Sequence, residues 1–160
     1  MRIYLAGPDV FFPDSAARAA AMKAACARFG MQGVFPLDAP AAAPAYPADA
    51  PEWLRIHIAN EAHIRGCDAM VAHITPFRGA SADPGTAWEM GFMRALGRPV
   101  LAWTTEPRDY AARVPEDGSM IEDFGLADNL MLEGGVTLSG GQVIRGAGAF
   151  EACLRLLRDG

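Results

Sequence analysis

The order of short apolar runs and helical patterns is the feature that most constrains how this chain can fold. The first run, IYLAG, ends in Gly-Pro, which is typical of a buried strand that enters a loop. Similar runs later in the chain predict further strands of the same kind. The predicted strands cover residues 3–7, 33–38, 68–74 and 99–103.

Helical patterns separate these strands. They cover residues 14–29, 51–66 and 85–97. Asp14 or Ser15 can cap the first helix, and Gly30 can end it. Strands that alternate with helices predict an α/β fold, in which a parallel sheet is covered by helices on both faces.

The remaining segments are less regular. The proline-rich residues 39–50 predict a long loop, and residues 104–148 are loop-rich. A short terminal helix is expected over residues 150–158. Because no repeat or linker divides the 160 residues, we expect a single domain over residues 1–160.

Charge and hydropathy exclude several functional classes. The formal net charge is −5, and the basic residues are scattered singly, which disfavours binding to nucleic acid or to anionic membranes. No apolar run reaches the roughly 18 residues of a membrane span, and the N-terminus lacks a secretion-signal pattern. We therefore expect a cytoplasmic protein without nucleic-acid or membrane partners.

Cofactor and metal motifs are missing from the sequence. The cysteines are odd in number and widely spaced, and no two histidines have the i, i+4 spacing of a two-histidine metal site on a helix. The loops after Gly7, Asp38 and Ile74 lie at strand carboxyl ends, where open parallel sheets bind ligands. None of these loops carries a GxGxxG or Walker A sequence, so we expect no metal and no organic cofactor.

Two carboxylates six residues apart mark the most informative stretch, ASADPGTAWEMGF. Asp83 precedes a predicted helix, and Glu89 lies in its second turn among large apolar side chains. A carboxylate in such surroundings costs free energy unless it is paired, hydrogen-bonded or functional. The alternative is that Glu89 is a solvated helix residue and that Asp83 caps the helix.

The pattern D-x-G-T-x-x-E-x-G over residues 83–91 is specific, whereas the segments IYLAGPDVF, VFPLD, CDAMVAHITPFRG and DFGLADNLML are informative only together. In this order, from residue 3 to residue 132, they resemble the nucleoside 2-deoxyribosyltransferase family. The resemblance implies a flavodoxin-like, doubly wound parallel sheet.

The resemblance also implies roles for individual residues. Glu89 matches the nucleophile that attacks the anomeric carbon of a 2'-deoxyribonucleoside, in a double displacement like that of retaining glycosidases. Tyr4 matches a tyrosine that holds the nucleophile, although a tyrosine there is also typical of a core. Asp83 matches the carboxylate that accepts a hydrogen bond from the sugar 5'-hydroxyl. Because a carboxylate repels phosphate, it favours nucleosides over nucleotides.

The resemblance further implies a shared site. Asn129 and Met131 match residues that one family subunit inserts into its neighbour's site, which implies a homo-oligomer, either a dimer or a multiple of dimers. Phe11 matches an aromatic residue that packs on the base, and Gly7 begins the loop that carries it. The alternatives are that DNLML is a turn followed by a core strand and that Phe11 belongs to the core.

The chain departs from the family at the base. The position of the family's general acid, eight residues before Asp68, is Asn60, which can hydrogen-bond a purine nitrogen but cannot donate a catalytic proton. Asp9, Glu61 or solvent could assist base departure instead. In the best-known branch of the family, Pro-Leu-Asp is followed by Asn-Gln, whereas here Asp38 is followed by Ala39 and Pro40. Asp38 itself could read the base instead.

Two further features complete the prediction. Phe77 and Arg78, next to Gly79, predict a mobile lid that excludes water, or alternatively a loop whose exposed arginine has no role. Asp68 is expected to be structural, opening a strand and capping the turn before it.

We expect a transferase that moves the 2-deoxyribosyl group from a 2'-deoxyribonucleoside to a free nucleobase, as in nucleoside salvage. One alternative is an N-glycosidase that hydrolyses nucleosides or their 5'-monophosphates, in which water resolves the same intermediate. A second alternative, motivated by Asn60, is a protein that binds nucleosides without cleaving them.

Overall fold

The computed structural model describes residues 1–42 and 44–160, and these residues contain one five-stranded parallel sheet. Its strands are β1 (Arg2–Ala6), β2 (Gln32–Val34), β3 (Ala69–His73), β4 (Val100–Thr104) and β5 (Val143–Arg145). They lie in the order β2-β1-β3-β4-β5, with every neighbouring pair parallel. This is the strand order of flavodoxin-like folds, so the predicted α/β architecture is confirmed.

Within residues 1–42 and 44–160, five α-helices connect or follow the strands. They are α1 (Ser15–Arg28), α2 (Glu52–Arg65), α3 (Pro84–Ala95), α4 (Leu130–Leu138) and α5 (Ala149–Asp159). The positions of α1, α2, α3 and α5 agree with the predicted helices to within a few residues. Single turns of 3-10 helix also follow β1, at Pro8–Phe11, and precede α4, at Ala111–Arg113.

Side-chain alternation along the strands divides the core into two layers. On β1, Ile3 and Leu5 face α1 and α5, whereas Tyr4 and Ala6 face the layer that contains α2, α3 and α4. Tyr4 pairs in register with Met70 of β3, at the centre of the sheet. The second layer is therefore the one in which groups from β1 and α3 can meet.

Two predicted strands are shorter than expected. The second ends at Val34 because Pro36 has no backbone N–H and because residues 35–38 form a turn. In that turn, the Asp38 carboxylate accepts a hydrogen bond from the Phe35 amide at 2.9 Å. Asp68 lies just before β3, and its carboxylate accepts from the Arg2 amide at 2.7 Å, so it joins the amino ends of β1 and β3.

The loop-rich prediction for residues 104–148 is wrong in two places, since α4 and β5 both lie there. Gly134 and Gly135 lower the helix propensity of α4, and β5 has only three residues, too few to show a period. The alternative for DNLML is also wrong, because the turn at Asn129 leads into a helix rather than a core strand.

The predicted loop contains no helix or strand at residues 39–42 and 44–50, and its residue 43 lies outside the described part of the chain. No helix among the described residues is long and apolar enough to cross a lipid bilayer.

Candidate active site

A tyrosine and a glutamate from opposite halves of the fold meet at the centre of the second core layer. Tyr4 on β1 is fully buried, and its hydroxyl donates a hydrogen bond of 2.7 Å to Oε1 of Glu89 on α3. Glu89 is half-buried, so it is not the solvated helix residue of the alternative interpretation. The register of β1 in the sheet and the inward-facing side of α3 bring the two side chains into contact.

The pair has unusual acid–base properties. Burial raises the pKa of the Glu89 carboxyl to about 7; the hydrogen bond from Tyr4 opposes the increase, and the nearby Asp83 carboxylate adds to it. Burial and the adjacent Glu89 also raise the pKa of the Tyr4 hydroxyl, which therefore stays a hydrogen-bond donor. Glu89 thus changes its charge close to neutral pH, as functional carboxylates often do.

Asp83 caps the helix that carries Glu89. Its Oδ2 accepts a hydrogen bond from the Thr86 amide at 3.0 Å, and Pro84 occupies the first turn. A β-carbon at Gly85 would lie 2.9 Å from Asp83 Oδ2, so a larger residue there would displace the Asp83 carboxylate. Within the described residues, Oδ1 of Asp83 accepts no hydrogen bond, which leaves it available to a ligand.

The loop after β1 is held by a buried, hydrogen-bonded carboxylate. The Asp9 carboxylate lies 2.7 Å from His73 Nδ1 and 3.1 Å from an Arg18 guanidinium nitrogen. Burial alone would raise the pKa of Asp9, but His73 and Arg18 hold it below its ordinary value. Asp9 is therefore ionised, which argues against its serving as the acid for the leaving base.

Gly7 is required by the close approach of this loop to His73. A β-carbon at Gly7 would lie 2.7 Å from the Cβ atom of His73 and 2.9 Å from Asp9 Oδ2. Any side chain at this position would separate β1 from β3 at their carboxyl ends. Gly7 therefore shapes the loop through its backbone.

Phe11 and the predicted lid are in contact. The rings of Phe11 and Phe77 stack with centroids 5.4 Å apart, and the Arg78 guanidinium lies 4.7 Å from the Phe77 centroid and 5.1 Å from that of Phe11. Arg78 has a φ of 57°, a left-handed conformation that is strained for a residue with a side chain. The loops after β1 and β3 therefore meet through an aromatic stack.

The three residues expected near the base differ in whether their polar side-chain atoms already have partners. Asn60 lies on α2 with its side-chain oxygen buried and without a hydrogen-bond partner among the described residues. Glu61 forms ion pairs with His57 at 3.5 Å and with Arg65 at 3.7 Å. Asp38 contacts the Lys23 ammonium through one oxygen and the Phe35 amide through the other, so both of its oxygens are occupied.

Asn129 and Met131 begin α4. Oδ1 of Asn129 caps the helix by accepting from the Met131 amide at 2.9 Å, and its side-chain nitrogen donates to Glu122 at 3.1 Å. The Met131 side chain is 74% exposed. It borders an apolar cleft of about 450 Å³ that lies between α3 and α4.

Sequence reasoning missed three residues that shape the loop before Asp83. These are Ser81, Arg113 and Asp128, which hydrogen-bond to one another or to adjacent backbone groups. The only available signal was the Asp-Asn dipeptide at residues 128–129, which is also an ordinary turn signal. Among residues 1–42 and 44–160, no group of three or more potential ligands is placed to hold a metal ion.

The sequence model described as nucleoside 2-deoxyribosyltransferase matches residues 3–131 of the chain. The chain belongs to this family. The matched region contains every residue assigned to the site from the sequence, including Tyr4, Asp83, Glu89 and Asn129. The family predicted from sequence resemblance is therefore confirmed.

Individual proteins resemble this chain in sequence, in structure or in both. The 2-desoxiribosyltransferase from Leishmania mexicana has a TM-score of 0.78 at 32% identity, over 99% of this chain and 97% of that chain. An uncharacterized protein of Schizosaccharomyces pombe is 30% identical over 183 residues, covering 98% of this chain and 87% of its own length. The Clostridium botulinum CMP N-glycosidase has a TM-score of 0.56 at 16% identity, over 98% of each chain, which shows a shared fold only.

Proposed function

We propose that this family member transfers the 2-deoxyribosyl group between nucleobases, with Glu89 as the covalent nucleophile. The observation that carries the proposal is the hydrogen bond from the Tyr4 hydroxyl to Glu89 Oε1. It orients the carboxylate and stabilises its ionised form, while Oε2 accepts no hydrogen bond from any described residue. A nucleophile that is oriented at one oxygen and unpaired at the other is suited to attack carbon.

The reaction proceeds in two displacements. Glu89 Oε2 attacks the anomeric carbon, the carbon–nitrogen bond breaks, and its electron pair leaves with the base nitrogen, which takes up a proton. A deoxyribosyl ester of Glu89 remains. The nitrogen of a second base then attacks the same carbon, loses its proton and releases the carboxylate, so two inversions give net retention.

Asp83, Gly7 and Phe11 are proposed to bind the substrate. The unpaired Oδ1 of Asp83 accepts a hydrogen bond from the sugar 5'-hydroxyl, and its charge disfavours a 5'-phosphate. Phe11 offers a half-exposed ring to the base. Gly7 lets the loop that carries this ring approach the sheet closely.

Base departure is proposed to depend on Asn60 and on solvent. The buried side-chain oxygen of Asn60 can accept a hydrogen bond from a base amino or imino group, but the amide supplies no proton. The ion pairs of Glu61 and the occupied oxygens of Asp38 make these two carboxylates weaker candidates for contact with the base. A water molecule therefore protonates the leaving nitrogen.

The active form is proposed to be a homo-oligomer of one-domain chains, a dimer or a multiple of dimers. The cleft between α3 and α4 has walls that are almost entirely apolar, and Met131 and Leu138 beside it are 74% and 75% exposed. Apolar surface of this kind is typical of an interface between subunits. A partner at this cleft would lie against Asn129, so these residues could enter the neighbouring site.

The test is base exchange. The purified protein is incubated with 2'-deoxyinosine with and without free adenine, and products are separated by chromatography. Formation of 2'-deoxyadenosine only in the sample with adenine supports transfer, whereas free deoxyribose in both samples would instead make the protein a hydrolase. Glu89→Ala should abolish exchange while retaining the fold, and Glu61→Ala on α2 is the matched carboxylate control. If Glu89→Ala exchanged bases at the wild-type rate, the nucleophile assignment would be wrong.

A further inference from the structure

Two segments distant in the chain are joined next to Asp83. Residues 80–82 lead into α3, and residues 127–129 lead into α4. The Asp128 side chain lies between them and is 1% exposed. Its Oδ2 accepts from the Ala82 amide at 2.9 Å, and its Oδ1 accepts from the Ser81 hydroxyl and, at 2.7 Å, from the Asn129 amide.

Arg113 makes a second connection between the same segments. Its Nε donates to the Ala80 carbonyl at 3.0 Å, and one of its terminal nitrogens donates to the Ala127 carbonyl at 2.7 Å. The backbone of residues 80–82 is thereby held on both sides. Asp83 is the next residue in the chain after this held segment.

The hydrogen bonds accepted by residue 128 require a carboxylate. Three donors converge on its two oxygens, and a buried carboxylate is tolerated only when its hydrogen bonds are satisfied. An asparagine would have one acceptor oxygen and would present an N–H group to at least one of the same donors. The position of the Ala82 peptide therefore depends on the two acceptor oxygens of residue 128.

We infer that Asp128 is a positioning residue for Asp83, an inference that rests on the proposed binding of the sugar 5'-hydroxyl by Asp83. Asp128 holds the peptide immediately before Asp83, while Asp83 Oδ2 is held by the Thr86 amide. These two anchors fix the direction in which the unpaired Oδ1 of Asp83 points. Asp128 therefore acts on the substrate through Asp83 and not by contact.

The test compares two substrates in wild type and Asp128→Asn, a 2'-deoxyribonucleoside and its analogue without the 5'-hydroxyl. The substitution should raise KM for the deoxyribonucleoside about tenfold, the effect of one lost hydrogen bond, with little change in kcat. The analogue should be used equally well by both proteins. Equal losses on both substrates would mean a merely structural role and would overturn the inference.

Amide hydrogen exchange provides a readout that needs no activity. Asp128→Asn should accelerate exchange at Ala82 and Thr86, and Asp68→Asn is the matched control. Asp68 also accepts from a backbone amide, that of Arg2, but at the amino ends of β1 and β3. If the wild type had no transferase activity, the proposed function would be contradicted, and amide hydrogen exchange alone would decide the inference. Faster hydrogen exchange confined to residues 81–86 supports the inference, and unchanged hydrogen exchange overturns it.

Discussion

Tyr4 and Glu89 are 85 residues apart in the chain, yet the hydroxyl of one donates a 2.7 Å hydrogen bond to the carboxylate of the other. The bond stabilises the charged form of Glu89 in surroundings whose burial favours the neutral form. A single hydrogen bond therefore influences both the orientation of the carboxylate and the pH at which it ionises.

The first prediction concerns the pH dependence of turnover. Glu89 must be ionised to attack carbon, so kcat/KM should rise with pH and reach half of its plateau near pH 7 in the wild type. Tyr4→Phe removes the hydrogen bond that lowers this pKa and should move the midpoint upward by about one pH unit or more. Steady-state rates between pH 5 and 9 measure both midpoints. Tyr46→Phe, in the loop before α2, is the control, and an unshifted Tyr4→Phe profile would contradict the role of the pair.

The second prediction concerns stability. The folded state keeps the Glu89 proton up to about pH 7, whereas an unfolded glutamate loses it near the ordinary value of 4.5, so wild-type stability falls as pH rises between these values. Glu89→Gln stays neutral and avoids this loss. At pH 8 it should unfold with a free energy about 3 kcal/mol higher than the wild type, and at pH 4 the difference should vanish.

Urea denaturation at both pH values measures this difference. Glu61→Gln, an ion-paired glutamate on the outer side of α2, provides the matched comparison and should not gain stability at pH 8. A Glu89→Gln protein that is less stable than the wild type at pH 8 would show that the carboxylate contributes to the fold. A gain in stability when Glu89 is replaced is instead typical of residues that are retained for function.

The third prediction concerns the loop after β1. Asp9 and His73 are both almost fully buried and lie 2.7 Å apart, so Asp9→Asn leaves His73 and Arg18 without their carboxylate. Leaving buried hydrogen-bonding groups without their carboxylate in this way should lower the free energy of unfolding by about 1 to 3 kcal/mol. Asp14→Asn removes only an exposed contact with Arg18 and should leave the free energy of unfolding nearly unchanged. If thermal or urea unfolding showed equal losses of stability for Asp9→Asn and Asp14→Asn, this prediction would be wrong.

The fourth prediction concerns water exclusion. Phe77 stacks on Phe11 and carries Arg78 over both rings, so Phe77→Ala removes the aromatic contact between the loops after β1 and β3. Water should then reach the glycosyl ester more readily, and the ratio of free deoxyribose to transferred product should increase. Chromatography of both products at a fixed adenine concentration measures the ratio. Phe124→Ala removes a ring that is 66% exposed and should leave the ratio unchanged.

Local patterns were sufficient to predict much of the fold. Apolar runs, helical spacing and terminating glycines predicted the positions of β1, β3, β4, α1, α2 and α3. Each of these elements has an apolar pattern or an end signal within its own sequence. Resemblance pointed to Tyr4 and Glu89, but only the register of β1 beside the inward face of α3 brings the two side chains together. α4 was missed because its stability comes from packing Val136 against the sheet, whereas its own glycines oppose a helix.

The role of Asp128 could not be found from the sequence for a different reason. Its three hydrogen-bond donors come from Ser81, Ala82 and Asn129, and two of these lie more than forty positions earlier in the chain. Asp-Asn is equally typical of a turn, and a turn is what the local sequence supports. Long-range contacts of buried polar groups depend on topology, which a local pattern does not contain.

The fifth prediction tests whether subunits share their sites. If Asn129 completes the site of a partner subunit, neither Glu89→Ala nor Asn129→Ala is active alone, but a mixed dimer has one intact site, formed by Glu89 of one chain and Asn129 of the other. Random mixing of equal amounts after reversible dissociation should restore roughly a quarter of wild-type exchange activity. Asp83→Ala mixed with Glu89→Ala is the matched control, because both residues belong to the same helix of one chain and no mixture restores a site. Recovery in both mixtures, or in neither, would contradict a site shared through Asn129.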